Sequence, residues 1–147
     1  MLISHKPLEF DADLPHILGN AFYNLEEVPD LKSYDKIVLE FWRLGCRKCH
    51  QSLEEFQRLS ERSTEKILFL TVHYPEMPFE KSPQLLEDFI KENNIHVPIL
   101  VDQDGCTARN FGVNIHPTRI VLERDKGYKL ASWGSKLYGE IAGLIES

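Results

Sequence analysis

Residues 46–50 read Cys46-Arg47-Lys48-Cys49-His50. Cysteines at this spacing suit three chemistries: a redox dithiol, half of a zinc site or, with the histidine that follows, attachment of a c-type haem. A structural zinc takes four ligands, usually drawing on a second C-x-x-C or a histidine pair. Here Cys106 stands alone, and His73, His96 and His116 are scattered. A c-type haem would require thioether bonds to both sulfurs and His50 as an axial ligand, at a tight junction with little room for a macrocycle. His50 is instead expected on the exposed side of a helix. A dithiol asks for less: one nucleophilic sulfur and a second within its reach. The redox reading leads, with no metal and no bound cofactor expected.

The neighbouring elements position this pair. IVLEFW (37–42) is a short apolar run of β-formers and reads as a buried strand. Residues 47–62 carry Leu53, Phe56 and Leu59 at every third position of a polar segment, which predicts a helix with one core-facing stripe. The cysteines therefore lie where a buried strand ends and a helix opens, the place where sites form in open α/β sheets. Cys46 falls at the helix N-terminus, where unpaired N–H groups and the dipole favour a thiolate, and Arg47 and Lys48 add positive charge. Cys49 comes one turn deeper, placed to resolve a mixed disulfide.

The rest of the chain continues the alternation. ILFLTV (67–72) reads as a second buried strand, followed by a loop, HYPEMPFEKSP, containing Pro75, Pro78 and Pro83. Ser82-Pro83 supplies a cap and first turn for a helix with Leu85, Leu86, Phe89 and Ile90, which stops near Asn93-Asn94. VPILV (97–101) predicts a short strand, and residues 104–111 a short helix ended by Gly112. PTRIVLE and GYKLASW form a hairpin about the turn RDKG, and Ser135 caps a last helix. Such alternation implies an α/β fold: a central sheet with helices on both faces, mixed because the late hairpin adds antiparallel edge strands. Residues 1–33 read as an irregular N-terminal extension, with AFYNL (21–25) a candidate edge strand or hairpin arm.

A chain of 147 residues, 42% hydrophobic and 27% charged, makes a single soluble domain, 1–147, with a real core. Three cysteines are not a disulfide framework. A net charge of −6 argues against nucleic acid. No apolar run approaches the roughly 18 residues of a membrane span. The opening MLISHKPLEFDADLPHILGN lacks an apolar h-region and carries acids early, unlike a signal peptide. With Met1 as the natural start, a cytoplasmic location is expected, and the chain is expected to be a monomer.

EFWRLGCRKC (40–49) resembles the strand-end and active-site motif of the thioredoxin superfamily, and IHPTR (115–119) resembles its cis-proline segment. The resemblance runs from about residue 20 to the end. Among subfamilies the chain is most similar to the TlpA-like thioredoxins and to the thioredoxin domain that opens NHL-repeat proteins; residues 71–118 resemble that second group, although within this sequence no repeat domain follows. It implies a thioredoxin-like fold and a thiol–disulfide oxidoreductase, acting on a protein disulfide and recharged by an upstream thiol reductant. It implies that Pro117 is cis and faces the dithiol, and that the backbone of His116 pairs with substrate. Glu40, an acid costly to bury in a strand, would match the buried acid that many thioredoxins keep behind the second cysteine. Burial would raise its pKa and let it accept the proton of Cys49.

Two features depart from the family pattern. Gly45 replaces the bulky residue usual before the first cysteine, which is expected to remove a substrate contact and loosen the loop. Arg47-Lys48 lacks the common proline, and its charge predicts a couple on the order of −200 to −260 mV, more oxidising than a housekeeping thioredoxin. Two rivals share the fold: an adaptor that docks partners without redox turnover, and a peroxide-reducing enzyme, for which no separate peroxidatic motif is seen. Cys106 reads as a bystander thiol, EEFQRLSERSTEK (54–66) as a solvated helix face, and Trp42 and Trp133 as core or sheet-face residues.

Overall fold

The computed structural model describes residues 1–3, 6–124 and 127–132. Two short strands, β1 (Leu2–Ile3) and β2 (Ala21–Tyr23), precede β3 (Lys36–Trp42). There follow α1 (Arg47–Glu61), β4 (Ile67–His73), α2 (Pro83–Glu92), β5 (Ile99–Val101), α3 (Cys106–Asn110), β6 (Thr118–Glu123) and β7 (Gly127–Ser132). The helix expected from Ser135, and Trp133 before it, lie outside the described residues.

The strands form one seven-stranded sheet in the order β1-β2-β5-β4-β3-β6-β7. β3 pairs in parallel with β4, and β4 with β5, as crossovers through helices require. β6 runs antiparallel to both β3 and β7. Of the late hairpin, then, only β7 is at an edge. β6 is an inner strand because its alternating side chains are buried on both faces. β2 is also internal, antiparallel to β1 and β5, so AFYNL is no edge strand.

Alternation along β3 sorts the core into two layers. Val38 and Trp42 pack with Leu53, Phe56 and Leu59 of α1 and Leu86 of α2. Ile37, Leu39 and Phe41 pack on the opposite face with Ala108 of α3 and with Phe111. Phe10, Leu14, Ile17 and Leu31 complete that second layer, so the N-terminal extension, irregular in path, is part of the core. Burying side chains of this size stabilises by about 1.5–3 kcal/mol each.

Local sequence sets the helix starts. Ser82 caps α2 by accepting the Leu85 N–H at 3.3 Å, with Pro83 in the first turn. Asp102, buried just before α3, accepts the N–H groups of Thr107 and Ala108 at 3.1 and 3.0 Å. Burial raises the Asp102 pKa, and those two bonds hold it back.

Candidate active site

β3 delivers the chain to residues 43–46 at its C-terminal end. Cys46 is the N-cap of α1, in an extended conformation, and its Sγ accepts the Cys49 N–H at 3.3 Å. Cys46 and Cys49 are joined as a disulfide with Cα atoms 5.2 Å apart, inside the usual range. The two sulfurs are not equivalent: Cys46 is partly exposed and Cys49 is fully buried under α1. Arg47 and Lys48 point to solvent on the first turn. His50 differs from expectation. It is half-buried, its ring tilted against Phe89 with centroids 4.7 Å apart and its Nε2 2.9 Å from the Leu44 carbonyl.

The antiparallel β3–β6 pairing brings the start of β6 beside the end of β3. The His116–Pro117 bond there is cis, and the His116 carbonyl lies 3.9 Å from Cys46 Sγ. Pro117 is buried, and the His116 side chain is only 4% exposed, with Nδ1 3.7 Å from Glu76. Burial lowers the His116 pKa; Glu76 opposes the shift, Arg43 adds to it, and Glu80 opposes it again.

Glu40 is fully buried, in the layer covered by α1. It does not face solvent. Its register partner on β6 is Arg119, itself fully buried, whose Nε lies 3.3 Å from Glu40 Oε1. The guanidinium also reaches Glu55 at 2.9 Å and the Ser52 carbonyl at 3.4 Å, and lies over the Phe56 ring. Ser52, one turn beyond Cys49, donates its hydroxyl to Glu40. Arg119 therefore places a countercharge against Glu40 inside the core.

Sequence reasoning missed a second buried carboxylate. Glu80, 1% exposed, sits on a 3₁₀ turn, Pro78–Lys81, in the loop between β4 and α2. Its Oε2 accepts the Gly45 N–H at 2.8 Å, and its Oε1 accepts the Met77 N–H at 2.8 Å and the Arg43 guanidinium at 3.3 Å. Burial pushes its pKa up, but these donors outweigh burial and leave it below the ordinary carboxylate value. The loop at Gly45 is thus pinned, not loosened. A Cβ added at Gly45 would come within 2.8 Å of Phe79 Cζ, so the missing side chain leaves room for an aromatic ring from another segment.

His73, fully buried at the end of β4, accepts the Leu44 N–H at Nε2, 3.2 Å away, and meets the Trp42 ring edge-on at 4.8 Å. Burial lowers its pKa to about 4, against the pull of Glu80 and with the help of His116 and Arg43. It is a neutral hydrogen-bond acceptor that positions the loop before Cys46. Nothing in the spacing of His73, Glu80 or Phe79 marks them. Arg119 did carry a signal, because a charge inside the buried run TRIVLE is as anomalous as Glu40 inside IVLEFW.

Among the described residues no group of three or more His, Cys, Asp or Glu side chains is arranged to hold a metal, and no helix is long and apolar enough to cross a membrane. Known proteins place the fold and the family. The chain is 30% identical over 93 residues to sporulation thiol-disulfide oxidoreductase A of Bacillus subtilis, covering 63% of this chain and 54% of that one. It is 28% identical over 92 residues to the thioredoxin-like protein YneN of the same organism, covering 63% and 52%. The chain spans about half the length of these curated relatives. A thioredoxin-like protein solved in its oxidised form superposes with a TM-score of 0.76 at 19% identity, covering 90% of this chain and 93% of that one. A thiol-disulfide isomerase from Corynebacterium glutamicum gives 0.72 at 19% identity, covering 97% and 96%. These superpositions show a thioredoxin-like fold, and the AhpC/TSA family matches residues 12–129. With that match spanning most of the sequence, the chain belongs to the AhpC/TSA family.

Proposed function

We propose that the chain is a thiol–disulfide oxidoreductase that uses Cys46 and Cys49 on protein disulfides. The observation that carries this reading is the asymmetry of the pair. One sulfur is accessible at the N-terminus of a fifteen-residue helix, the other is buried one turn behind it, and the two bond to each other. In the reducing direction, the Cys46 thiolate attacks one sulfur of a substrate disulfide. A Cys46–substrate disulfide forms, and the other substrate sulfur leaves as a thiolate and takes up a proton. Cys49 then loses its proton and attacks Cys46 Sγ. The Cys46–Cys49 disulfide forms and the second substrate sulfur departs as a thiol. An upstream dithiol reductant returns the two electrons.

Glu40 is the proton acceptor for Cys49 in this scheme, held in place by Arg119 and by the Ser52 hydroxyl. The α1 dipole with Arg47 and Lys48 stabilises the attacking thiolate. The His116 carbonyl, beside the cis-Pro117, faces the position a substrate backbone would take, and the pinned Gly45 keeps that approach open.

The test is equilibration of the chain in glutathione buffers, with thiols read by mass after alkylation. A reversible two-electron transition confined to Cys46 and Cys49 supports the reading. A pair that stays reduced across the series would leave an adaptor that docks partners in the same groove.

A further inference from the structure

Exposed large apolar side chains are few among the described residues, and Met77, Phe79 and Ile115 sit on the two loops that flank Cys46. Phe79 is 50% exposed, yet its ring tip fills the space a side chain at position 45 would use, directly before the reactive cysteine. Ile115, 58% exposed, adjoins His116, whose carbonyl lies 3.9 Å from Cys46 Sγ. Apolar side chains are therefore exposed on both loops that reach the Cys46 region.

The Phe79 loop does not hang free. Glu80 ties it to Gly45 and Arg43, and Glu76 ties it to Arg43 at 3.6 Å and to His116 at 3.7 Å. These acids and Arg43 are spent on one another, so they offer little to a charged ligand. What the loop presents outward is the ring. A buried carboxylate that holds an aromatic side chain half in water, beside a reactive sulfur, does so at a cost in solvation that a partner's apolar side chain would relieve.

We propose that Phe79 is a specificity-determining residue of the redox site. With Met77 on the same loop and Ile115 across Cys46, it selects disulfides carried on an extended polypeptide segment whose cysteine is flanked by an apolar side chain. The inference rests on the thiol–disulfide reading above. The His116 backbone pairs with the extended segment. An apolar neighbour of the substrate cysteine is desolvated against Phe79, whereas a polar one loses water and gains no partner.

Two disulfide-linked peptides test this, identical in length and charge so that Arg47 and Lys48 act equally on both. They differ only in Leu or Ser immediately before the cysteine. The reduced chain favours the Leu peptide by about tenfold in kcat/KM, the range open to a hydrophobic contact of this size. Phe79→Ser brings the ratio close to one, mainly through KM, and Phe79→Trp keeps it. The reduction potential of each variant distinguishes a disturbed dithiol from lost selectivity. Gly45→Ala is a second check that keeps the Phe79 side chain but crowds it: the added Cβ meets the ring tip first and Glu80 Oε2 next, and the displaced ring lowers the ratio. A Phe79→Ser variant that retains the parent ratio overturns the proposal, as does a parent chain that reduces both peptides equally. A parent chain that reduces neither peptide, nor glutathione disulfide, overturns the redox reading itself and this inference with it.

Discussion

Glu40 and Arg119 face each other across the antiparallel β3–β6 register, both fully buried, with Nε and Oε1 3.3 Å apart. Such a pair adds little over an apolar pair of the same shape, but half of it is costly, because one charge is left in a medium that solvates it poorly. Arg119→Met is therefore expected to lose about 3–5 kcal/mol in denaturant unfolding. The double variant Glu40→Gln with Arg119→Met should recover most of that loss. A single variant within 1 kcal/mol of the parent (roughly the scale of a surface pair) would show that the contact carries no stability.

The asymmetry of the cysteines makes a chemical prediction. Cys49→Ser should accumulate a stable mixed disulfide through Cys46 when the chain meets a disulfide-bonded protein, visible as a reducible band shift. Cys46→Ser should not, because the remaining thiol is buried. Equal trapping by both variants would contradict the assignment of attacking and resolving roles.

Charge at the start of α1 should tune the couple. Replacing Arg47 and Lys48 with Gln removes two cations from the first turn, each worth about 0.3–1 kcal/mol to a thiolate there. The potential should move to more negative values by about 15–40 mV, because the reduced form is the one destabilised. A shift in the opposite direction in glutathione buffers would refute the electrostatic account.

Stability should fall on mild acidification. The unfolded chain protonates His73 near 6.5, whereas the folded chain holds it neutral down to about 4. The folded state thus binds fewer protons in that window, and stability is complete above it and lost as pH falls through it. The loss from His73 alone is about 3 kcal/mol. The lowered pKa of His116 acts in the same sense, and Glu80 follows at the acid end, where its ionised form is the folded one. Asp102, raised by burial, opposes them only near the carboxylate range. His73→Gln, which keeps an acceptor for the Leu44 N–H, should flatten the slope measured by urea melts between pH 6.5 and 4.

What was legible in the sequence was local. The buried strands announce themselves by composition, α1 by its apolar stripe and α2 by Ser82-Pro83, because periodicity and capping act over a few residues. The dithiol was readable from its C-x-x-C spacing at a strand-to-helix junction, and the cis-proline through its likeness to a known family. Glu80 was not, because its partners Gly45 and Arg43 lie 35 and 37 residues away and only the fold brings them together. The inner position of β6 was missed for a related reason: a hairpin shows that its strands pair, not which neighbour completes the sheet. Glu40 was half legible, its burial from the strand pattern and its countercharge only from the register.

Cys46 Sγ caps α1 by accepting the Cys49 N–H, so the atom proposed to react is also the atom that closes the helix end. A thiolate accepts an N–H more strongly than a disulfide sulfur does, whether that disulfide is to Cys49 or to a substrate. The first turn of α1 is therefore a built-in gauge of the catalytic cycle. In the proposed cycle it fastens when the pair is reduced and slackens whenever Cys46 is held in a disulfide.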